Sequence, residues 1–374
     1  MVRFLTAGES HGETLTGIID GIPANIYLDI DFINKELKRR QMGYGRSSRM
    51  QLEIDEVNIL SGISKGFTTG SPITVSIKNR GTNIELVEVT KPRPGHGDLV
   101  GALKYNQKGA RNIIERASAR ETAMRVALGS ICKLLLKEFN INIYSHVINI
   151  GGISSNVNYY KGLKTEELIR ADESSIRVID KSSEEKMIRK IQEAKEKGDT
   201  LGGTIEIIAK NIPTGLGSHT NWDTKLDARL AAACISIQGI KGVEFGLGNL
   251  AASTPGSEFH DEIFYDDNKY KRRTNNAGGI EAGISNGEDI IIRATMKPIP
   301  TLMKPLETVD MITKEKTIAQ FERSDVCAVP SASIVAESMI AYIITDELIK
   351  KFGGDSLEEI KTNYYNYLKY LERR

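Results

Sequence analysis

The sequence predicts a single α+β domain that spans residues 1–374. Stretches in which apolar and polar residues alternate, typical of strands, lie along the chain among stretches with helical apolar spacing. No low-complexity linker and no internal repeat divides the chain, and its length supports one large core. Within this unit, the Lys/Glu-rich segment 161–199 is predicted to be peripheral to the chemistry.

Composition excludes several classes of protein. Charged residues make up 26% and hydrophobic residues 40% of the chain, and the formal net charge is +1, as in ordinary globular proteins. The near-neutral charge argues against a general nucleic-acid-binding protein, and no run of 18 apolar residues predicts a membrane span. The N-terminus lacks the apolar core of a signal peptide.

Cysteine usage predicts a reducing compartment and no metal site. Cys132, Cys234 and Cys327 are odd in number and far apart in the sequence, which fits free thiols in the cytoplasm. Neither C-x-x-C nor H-E-x-x-H occurs, so neither a structural nor a catalytic metal is expected.

The first half of the chain contains strand patterns and two helix patterns. Alternation predicts strands over 3–7, 17–30 and 141–153, and a strand region over 57–77 that glycines interrupt. Residues 32–40 are predicted to form a short helix with Asp31 as its N-cap. A longer helix follows Ser118, which is predicted to be its N-cap, and Glu121 stands three residues later at the capping-box spacing.

The second half alternates between helices and glycine-rich turns. Helices are predicted over 183–197, 223–237, 332–352 and 357–371, and strands over 204–209 and 289–296. Glycines at 278–279, 283 and 287 indicate tight turns that allow close approach to a ligand. They do not follow the order strand, G-x-G-x-x-G, helix, so a Rossmann site is not supported.

An anion site is predicted at the start of the helix that follows Ser118. Free N–H groups and the positive end of a helix dipole favour an anion there. Four arginines, which recognise phosphate or carboxylate through bidentate contacts, surround this helix start: Arg111, Arg116, Arg120 and Arg125. The alternative is a capped surface helix whose arginines are solvated.

Two further segments have the composition of ligand-binding turns. Residues 38–49 contain five cations in twelve positions without an acid, which fits either a loop that grips phosphate or carboxylate or a mobile basic surface loop. His11 lies between glycines in GESHG, which fits either a ligand-approaching turn or a simple polar turn.

Together these features favour acid–base chemistry on an anionic small molecule. His11 and His96 stand in glycine-rich contexts, and Asp325 lies beside Arg323 in a short polar stretch. Histidines with a pKa near neutrality can act as proton donors. His146 and His260 are predicted to be structural or surface residues, and His219 is left unassigned.

Six motifs, in order over nearly the whole chain, resemble the chorismate synthase family. They are GESHG at 8–12, GYGR at 43–46, RPGHGD at 93–98, ERASARET at 115–122, GGI at 278–280 and RSDVC at 323–327. Two positions depart from the usual family pattern. Gly97 stands where alanine is common, and Ala117 stands where the first residue of a serine pair is common, which removes one hydroxyl contact to the flavin.

The resemblance implies a fold, a reaction and an assembly. The fold is a β-α-β sandwich in which helices lie between antiparallel sheets. The reaction is the anti 1,4-elimination that converts 5-enolpyruvylshikimate 3-phosphate to chorismate and phosphate, the last step of the shikimate pathway in aromatic amino acid biosynthesis. The enzyme is a carbon–oxygen lyase that needs reduced FMN without net redox change, and it is usually a homotetramer.

The resemblance also assigns residues to roles. His11 would assist the leaving phosphate, His96 would lie near the flavin N1 and stabilise the reduced anion, and Asp325 would influence the proton on the flavin N5. Flavin-binding positions are Arg116, Ala117, Ser118, Gln238, Gly239, Ala282, Lys297, Pro298, Ile299, Pro300, Thr301 and Arg323. Substrate-binding or NADP-binding positions are Ser10, Arg40, Arg46, Arg49 and Arg120. Whether NADPH reduces the flavin on this chain or an external reductase does so stays open.

Two rival functions stay open beside this one. A flavin reductase or flavin store would turn over or bind FMN without elimination chemistry. A module that binds phosphate backbones through residues 38–49 would show salt-dependent affinity for nucleic acid, against which the near-neutral net charge speaks.

Overall fold

The structure is a computed structural model that describes residues 1–45, 54–80, 87–161, 163–266, 269–321 and 324–374. Its strands are β1 Arg3–Ala7, β2 Thr14–Asp20, β3 Val57–Ile59, β4 Ile63–Ser64, β5 Phe67–Thr68, β6 Ile73–Lys78, β7 Asn142–Ile150, β8 Ile153–Ser154, β9 Gly203–Lys210, β10 Ile240–Phe245, β11 Ile263–Asp266, β12 Lys269–Arg272, β13 Ile280–Glu281, β14 Ile284–Ser285, β15 Ile290–Met296, β16 Glu307–Val309 and β17 Lys316–Ile318. Its helices are α1 Ile30–Gln41, α2 Asp98–Lys104, α3 Arg111–Ala117, α4 Thr122–Lys137, α5 Thr165–Leu168, α6 Lys181–Glu196, α7 Leu226–Ile235, α8 Gly256–Phe259, α9 Val329–Phe352 and α10 Leu357–Leu371.

Two antiparallel sheets enclose a layer of helices. One sheet has the strand order β1-β2-β6-β3 and the other has the order β10-β15-β9-β7-β8. Helix α4 packs against the first sheet and against α9, and α9 in turn packs against β7 and β9 of the second sheet. This arrangement confirms the predicted α+β class and the β-α-β sandwich with helices between antiparallel sheets.

The two central helices are buried because both of their faces are apolar. Leu128, Ile131 and Leu135 of α4 are fully buried, as are Ile340 and Ile344 of α9. A helix that is apolar all round must lie inside a domain rather than on its surface. One continuous core therefore joins the two helices to residues from near both ends of the chain.

Two local predictions in the first half are wrong. The second strand spans Thr14–Asp20 and not residues 17–30, since the chain leaves the sheet at Gly21, whose φ is +85°. Helix α1 begins earlier than predicted, because Asp29 and not Asp31 is its N-cap. The Asp29 carboxylate accepts the N–H of Phe32 at 3.0 Å.

The charged segment 161–199 contributes one face to the core. Its helix α6 buries Met187 and Ile191 in the main core and leaves its other face charged. The prediction of a helix over 183–197 is thus confirmed, with bounds of Lys181–Glu196. Among the described helices, none has both the length and the apolar character that crossing a bilayer requires.

Candidate active site

The strongest candidate for a site is a cavity of about 480 Å³ beside the starts of α4 and α9. A cavity of this size lies in the range of small-molecule sites. It gathers predicted site residues from seven separate parts of the sequence: Ser10, Arg40, His96, Ala117, Ser118, Arg120, Gln238, Gly239, Lys297, Pro298, Ile299, Pro300, Thr301 and Asp325.

The turn between β1 and β2 brings Ser10 to this cavity. Gly8 has a φ of +105°, and a Cβ there would lie 2.5 Å from the Thr14 carbonyl oxygen, so the tight turn requires glycine. The Asn79 side chain donates hydrogen bonds to the carbonyl oxygens of Glu9 and Gly12 at 3.1 and 2.7 Å. These two hydrogen bonds hold the turn in place from Asn79, which lies outside the turn in the sequence.

The start of the central helix differs from the predicted capping box. Ser118 is an N-cap, but of a 3₁₀ turn, Ala119–Glu121, that precedes α4. Its hydroxyl accepts the N–H of Arg120 at 3.2 Å. The Glu121 carboxylate does not return to the cap. It accepts hydrogen bonds from Thr6 Oγ1 at 2.8 Å, Arg125 Nε at 2.9 Å and Gln238 Nε2 at 3.1 Å.

His96 is held by a buried ion pair within its own motif. Its Nδ1 contacts Asp98 Oδ1, and Asp98 is fully buried. Arg93 binds the same carboxylate through Nε at 2.9 Å and reaches Thr301 Oγ1 through Nη1, also at 2.9 Å. Burial raises the pKa of Asp98, but hydrogen bonds from His96 and Arg93 outweigh burial and hold that pKa well below its usual value.

His11 has a similar carboxylate partner from a distant part of the chain. Its Nδ1 lies 3.0 Å from both carboxylate oxygens of Glu115, and its backbone N–H donates to the same group at 2.9 Å. Burial raises the pKa of Glu115, whereas the hydrogen bonds from His11 lower it by more, so the net shift is downward. His11 is next to Ser10 but is not among the described residues that line the cavity.

Two buried arginines meet one aspartate at the wall of the cavity. Arg40 donates to Thr122 Oγ1 at 2.9 Å and lies 3.4 Å from Asp55, and Arg120 lies 2.7 Å from Asp55. Arg120 Nε also donates to Asn79 at 2.9 Å, which joins this pair to the Gly8–Gly12 turn. Arg120 of the predicted cluster and Arg40 of the basic segment 38–49 are thus both paired with Asp55 rather than solvated.

The other arginines of the predicted anion site point elsewhere. Arg116 donates to the Thr6 carbonyl at 2.8 Å, and Arg125 donates to Ser236 Oγ at 2.8 Å. Both border a neighbouring pocket that shares Gln238 with the cavity. Arg111 donates to the Val87 carbonyl at 2.8 Å. Of the four arginines, Arg120 alone is among the described residues that line the cavity.

The predicted flavin-binding turns form one wall. The N–H of Lys297 donates to the Gly239 carbonyl at 2.9 Å, which brings the 238–239 turn against the loop 297–301. Thr200 Oγ1 donates to the Ile299 carbonyl at 2.7 Å and fixes the far end of that loop. Gln238 Oε1 is buried without a hydrogen-bond partner in the described chain, so a ligand N–H or O–H would satisfy it.

The opposite wall comes from the start of α9 and the residues before it. Ser324 and Asp325 line the cavity together with Ala328, Ser331 and Ala332. The N–H of Val326 donates to the Gly45 carbonyl at 3.0 Å. This bond places the loop before α9 next to the end of the described part of the basic loop.

Ala282 is a predicted flavin-binding residue that is not among the described residues lining the cavity. Ala282 is exposed, with a φ of +51°, in the turn between β13 and β14. Arg46, Arg49 and Arg323 lie outside the described residues.

The structure gives the positions of two further histidines, His146 and His260. His146 is fully buried with its Nε2 3.0 Å from Glu206, and His260 is exposed, so the prediction of structural and surface roles is confirmed by their positions.

Four supporting residues were not predicted as site residues. Arg93 and Asp98 stand inside the RPGHGD motif, and an acid two positions after a histidine was a usable local signal. Asp55 and Glu115 gave no such signal, because their partners Arg120 and His11 are 65 and 104 positions away.

The chemistry of the cavity lining suits flat ligands that carry negative charge. Arg40, Arg93, Arg120 and Lys297 bring positive charge to its wall, and the starts of α4 and α9 add the positive ends of two helix dipoles. Asp325 is the acid among the described lining residues, and His96 supplies a titratable ring.

Comparisons with known proteins identify the family of the chain. A sequence model described as chorismate synthase matches residues 2–349. The chorismate synthase of Caldanaerobacter subterraneus subsp. tengcongensis is 55% identical over 375 residues, with 99% of each chain covered. That of Thermoanaerobacter pseudethanolicus is 54% identical over 376 residues, also with 99% of each covered. A crystal structure of chorismate synthase superimposes with a TM-score of 0.83 at 42% identity, covering 100% of this chain and 99% of that one. Since the family model covers nearly the whole chain and these relatives share about half of its residues, the chain belongs to the chorismate synthase family.

Proposed function

We propose that this lyase removes phosphate from 5-enolpyruvylshikimate 3-phosphate by an anti 1,4-elimination and releases chorismate, using reduced FMN. Membership of the chorismate synthase family supports the class of reaction. The observation that supports the assignment most directly is the single cavity at which cations, a carboxylate-held histidine and the proposed flavin-binding turns meet.

The arginines of the cavity wall account for the charge of the substrate. The substrate carries one phosphate and two carboxylates, and Arg40 and Arg120 supply planar donors for such groups. Asp55 fixes both guanidinium groups before the substrate arrives, so little side-chain entropy is lost on binding. Arg46 and Arg49 are proposed to complete this charge from the rest of the basic loop.

The two histidines are proposed to handle protons at different ends of the site. His11 assists the departure of phosphate, which leaves more easily when it is protonated or ion-paired. His96 lies on the flavin side, in contact with Asp98 and through Arg93 with Thr301. Asp325, on the opposite wall, influences the proton at the flavin N5.

The residues on the flavin wall fit an FMN ring system. Reduced FMN supplies electron density to the substrate when both are bound, without net redox change. Gln238, with its unpartnered buried Oε1, would accept a flavin N–H, and the backbone of Gly239 and the loop 297–301 would lie along the ring. Arg116, Ala117, Ser118, Ala282 and Arg323 complete the proposed flavin-binding set.

The test is an anaerobic reaction of the chain with reduced FMN and 5-enolpyruvylshikimate 3-phosphate. We expect chorismate and phosphate in equal amounts, and neither product with oxidised FMN. NADPH-driven flavin turnover without chorismate would indicate the reductase alternative, and salt-dependent nucleic-acid binding without chorismate would indicate the backbone-binding alternative.

Flavin binding can be measured separately. Reduced FMN should bind more tightly when substrate is present, because the cations of one wall serve both anions. Titration by flavin absorbance and fluorescence checks this, and the absence of FMN binding with and without substrate would contradict the proposal. Adding NADPH to the same mixture, with oxidised FMN and no external reductase, shows whether the chain reduces its own flavin.

A further inference from the structure

His96 and Asp98 form a contact that defines which ring nitrogen faces the cavity. The His96 Nδ1 lies against Asp98 Oδ1, and the described residues provide no hydrogen-bond partner for its Nε2. The His96 ring lines the cavity and is 18% exposed, whereas the Asp98 side chain is completely buried. The nitrogen left for a ligand is therefore Nε2.

The contact also fixes the position of the ring proton. An unprotonated Nδ1 would direct its lone pair at a carboxylate oxygen, which is repulsive, so Nδ1 carries the proton and donates it to Asp98. Arg93 Nη2 lies 3.1 Å from the same Nδ1 but donates to Asp98 Oδ1 at 3.0 Å. A nitrogen that donates to Asp98 cannot also accept from Arg93.

Arg93 keeps the carboxylate from rotating away. Its backbone N–H and its Nε both donate to Asp98 Oδ2, at 3.0 and 2.9 Å. Its Nη1 donates to Thr301 Oγ1 at 2.9 Å. Two Arg93 donors thus hold Asp98 Oδ2 in place, and Asp98 Oδ1 is directed at His96.

We propose that Asp98 is a positioning residue, which holds His96 with its proton on Nδ1 and presents Nε2 to the ligands bound in the cavity. This inference rests on the proposed function for its effect on turnover, but its structural part does not.

Asp98→Asn tests the proposal because it reverses the donor. In this variant the amide oxygen takes the Oδ2 position, where two Arg93 donors require an acceptor. The amide NH₂ then occupies the Oδ1 position, where one Arg93 donor, Nη2, loses its acceptor instead of two. The NH₂ donates to Nδ1, so the neutral ring must carry its proton on Nε2. The side chain is otherwise of the same size and shape.

The direct measurement is ¹⁵N NMR of protein labelled at histidine Nδ1 alone, at about pH 9, well above the usual histidine pKa. Comparison with His96→Ala identifies the His96 signal. We expect a protonated Nδ1 in the native chain and an unprotonated Nδ1 in Asp98→Asn. An unprotonated Nδ1 in the native chain would overturn the proposal, whether or not the variant folds and whether or not the chain makes chorismate.

Turnover supplies the second readout. Asp98→Asn should lower turnover about 10- to 100-fold, the usual effect of removing a carboxylate that orients a functional histidine. Unchanged turnover would overturn the positioning role.

Asp346→Asn is the matched control. Asp346 is also buried, and it also binds an arginine, Arg229, at 2.6 Å, but it lies outside the cavity. The Asp346→Asn variant should be less stable than the native chain. Its turnover, its pH profile and the protonated His96 Nδ1 should be unchanged. An equal fall in turnover in both variants would attribute the effect to stability and overturn the proposal.

Discussion

At the residue scale, the orientation of two histidine rings depends on acids that the sequence separates very differently. Asp98 stands two positions from His96, whereas Glu115 stands 104 positions from His11. Both acids are buried, and both contact Nδ1. The common geometry turns the Nδ1 of each ring toward a buried acid, although the His96 pair forms within the local RPGHGD motif and the His11 pair forms only in the folded chain.

Substitution of the histidines should lower turnover and leave the fold intact. His11→Ala and His96→Ala should each slow turnover roughly 10- to 1000-fold, the scale of losing a general acid or a charge-stabilising donor. His11→Ala should slow phosphate release, and His96→Ala should change the flavin absorbance in the ternary complex. Single-turnover phosphate assays and stopped-flow spectra measure the two effects.

The exposed His260 provides the control for this comparison. His260→Ala should match the native chain in both assays and in thermal unfolding. Full activity of either site variant would remove that histidine from the mechanism, and identical spectra in both would contradict their separate roles.

Loss of a cavity arginine should weaken substrate binding more than it weakens the fold. Arg120→Gln removes a charge that lines the cavity, and charge-assisted hydrogen bonds of this kind contribute about 1.5–3 kcal/mol, so KM should rise about 10-fold or more. Arg273→Gln is the control, because Arg273 forms an exposed ion pair with Glu262. Equal KM values for the two variants would count against Arg120 as a substrate ligand.

At the element scale, α4 and α9 approach each other closely at Gly129. A Cβ on Gly129 would lie 2.5 Å from the Ser338 Cβ and 2.6 Å from the Ser338 carbonyl oxygen. Glycine is unfavourable inside a helix by roughly 1 kcal/mol relative to alanine. Its presence here permits the crossing that brings the starts of both helices to one cavity.

Gly129→Val should therefore destabilise the protein, by about 1–3 kcal/mol for overpacking. Lys186→Val, on the exposed face of α6, introduces the same side chain without a clash and should cost less than about 1 kcal/mol. Urea unfolding compares the two. Equal midpoints would mean that the helix crossing tolerates a side chain at Gly129.

At the scale of the whole molecule, one buried carboxylate joins several layers of the sandwich. Glu337 of α9 is completely buried and contacts Arg39 of α1 at 2.9 Å, Lys133 of α4 at 2.6 Å and Arg177 at 3.3 Å. Burial raises the pKa of Glu337, but these three cations outweigh burial and hold the pKa well below its usual value. Removing one partner of such a buried network leaves unpaired charge.

Stability should fall in acid because Glu337 takes up a proton more readily in the unfolded chain than in the folded one. A folded pKa below the unfolded one, about 4.3 for Glu, stabilises the fold above that pH, and the contribution is lost as pH decreases below it. Glu337→Gln should cost about 3–5 kcal/mol at pH 7 and flatten the acid dependence. Unfolding measured from pH 7 to pH 3 checks both, and a variant as acid-sensitive as the native chain would refute this account.

The proposed homotetramer is a prediction at the same scale. Leu5 of β1 and Ile18 of β2 pair across the outer face of the first sheet, where they are 76% and 43% exposed. Apolar side chains on a sheet face favour burial between subunits. Light scattering at micromolar concentration should give the mass of four chains, and the mass of one chain would contradict the prediction.

The sequence by itself determined the elements that depend on local spacing and the family that depends on ordered motifs. The final helix was predicted over 357–371 and is observed as Leu357–Leu371. This prediction is accurate because the apolar periodicity of a helix depends only on residues that are close in sequence. The strand over 17–30 was wrong, because alternation continues in the sequence beyond the point where Gly21 turns the chain out of the sheet. Motif order, a property of the chain alone, was enough to predict the family.

Only the tertiary structure decided how the site is held together. Glu121 fitted a capping box by spacing, yet its carboxylate binds Thr6 and Gln238, more than a hundred positions away in either direction. Asp55 reaches Arg120 across 65 positions of sequence, and Glu115 reaches His11 across 104. A buried charge is stable only when paired, and the nearest opposite charge in a packed interior depends on how distant segments cross, which local spacing does not encode.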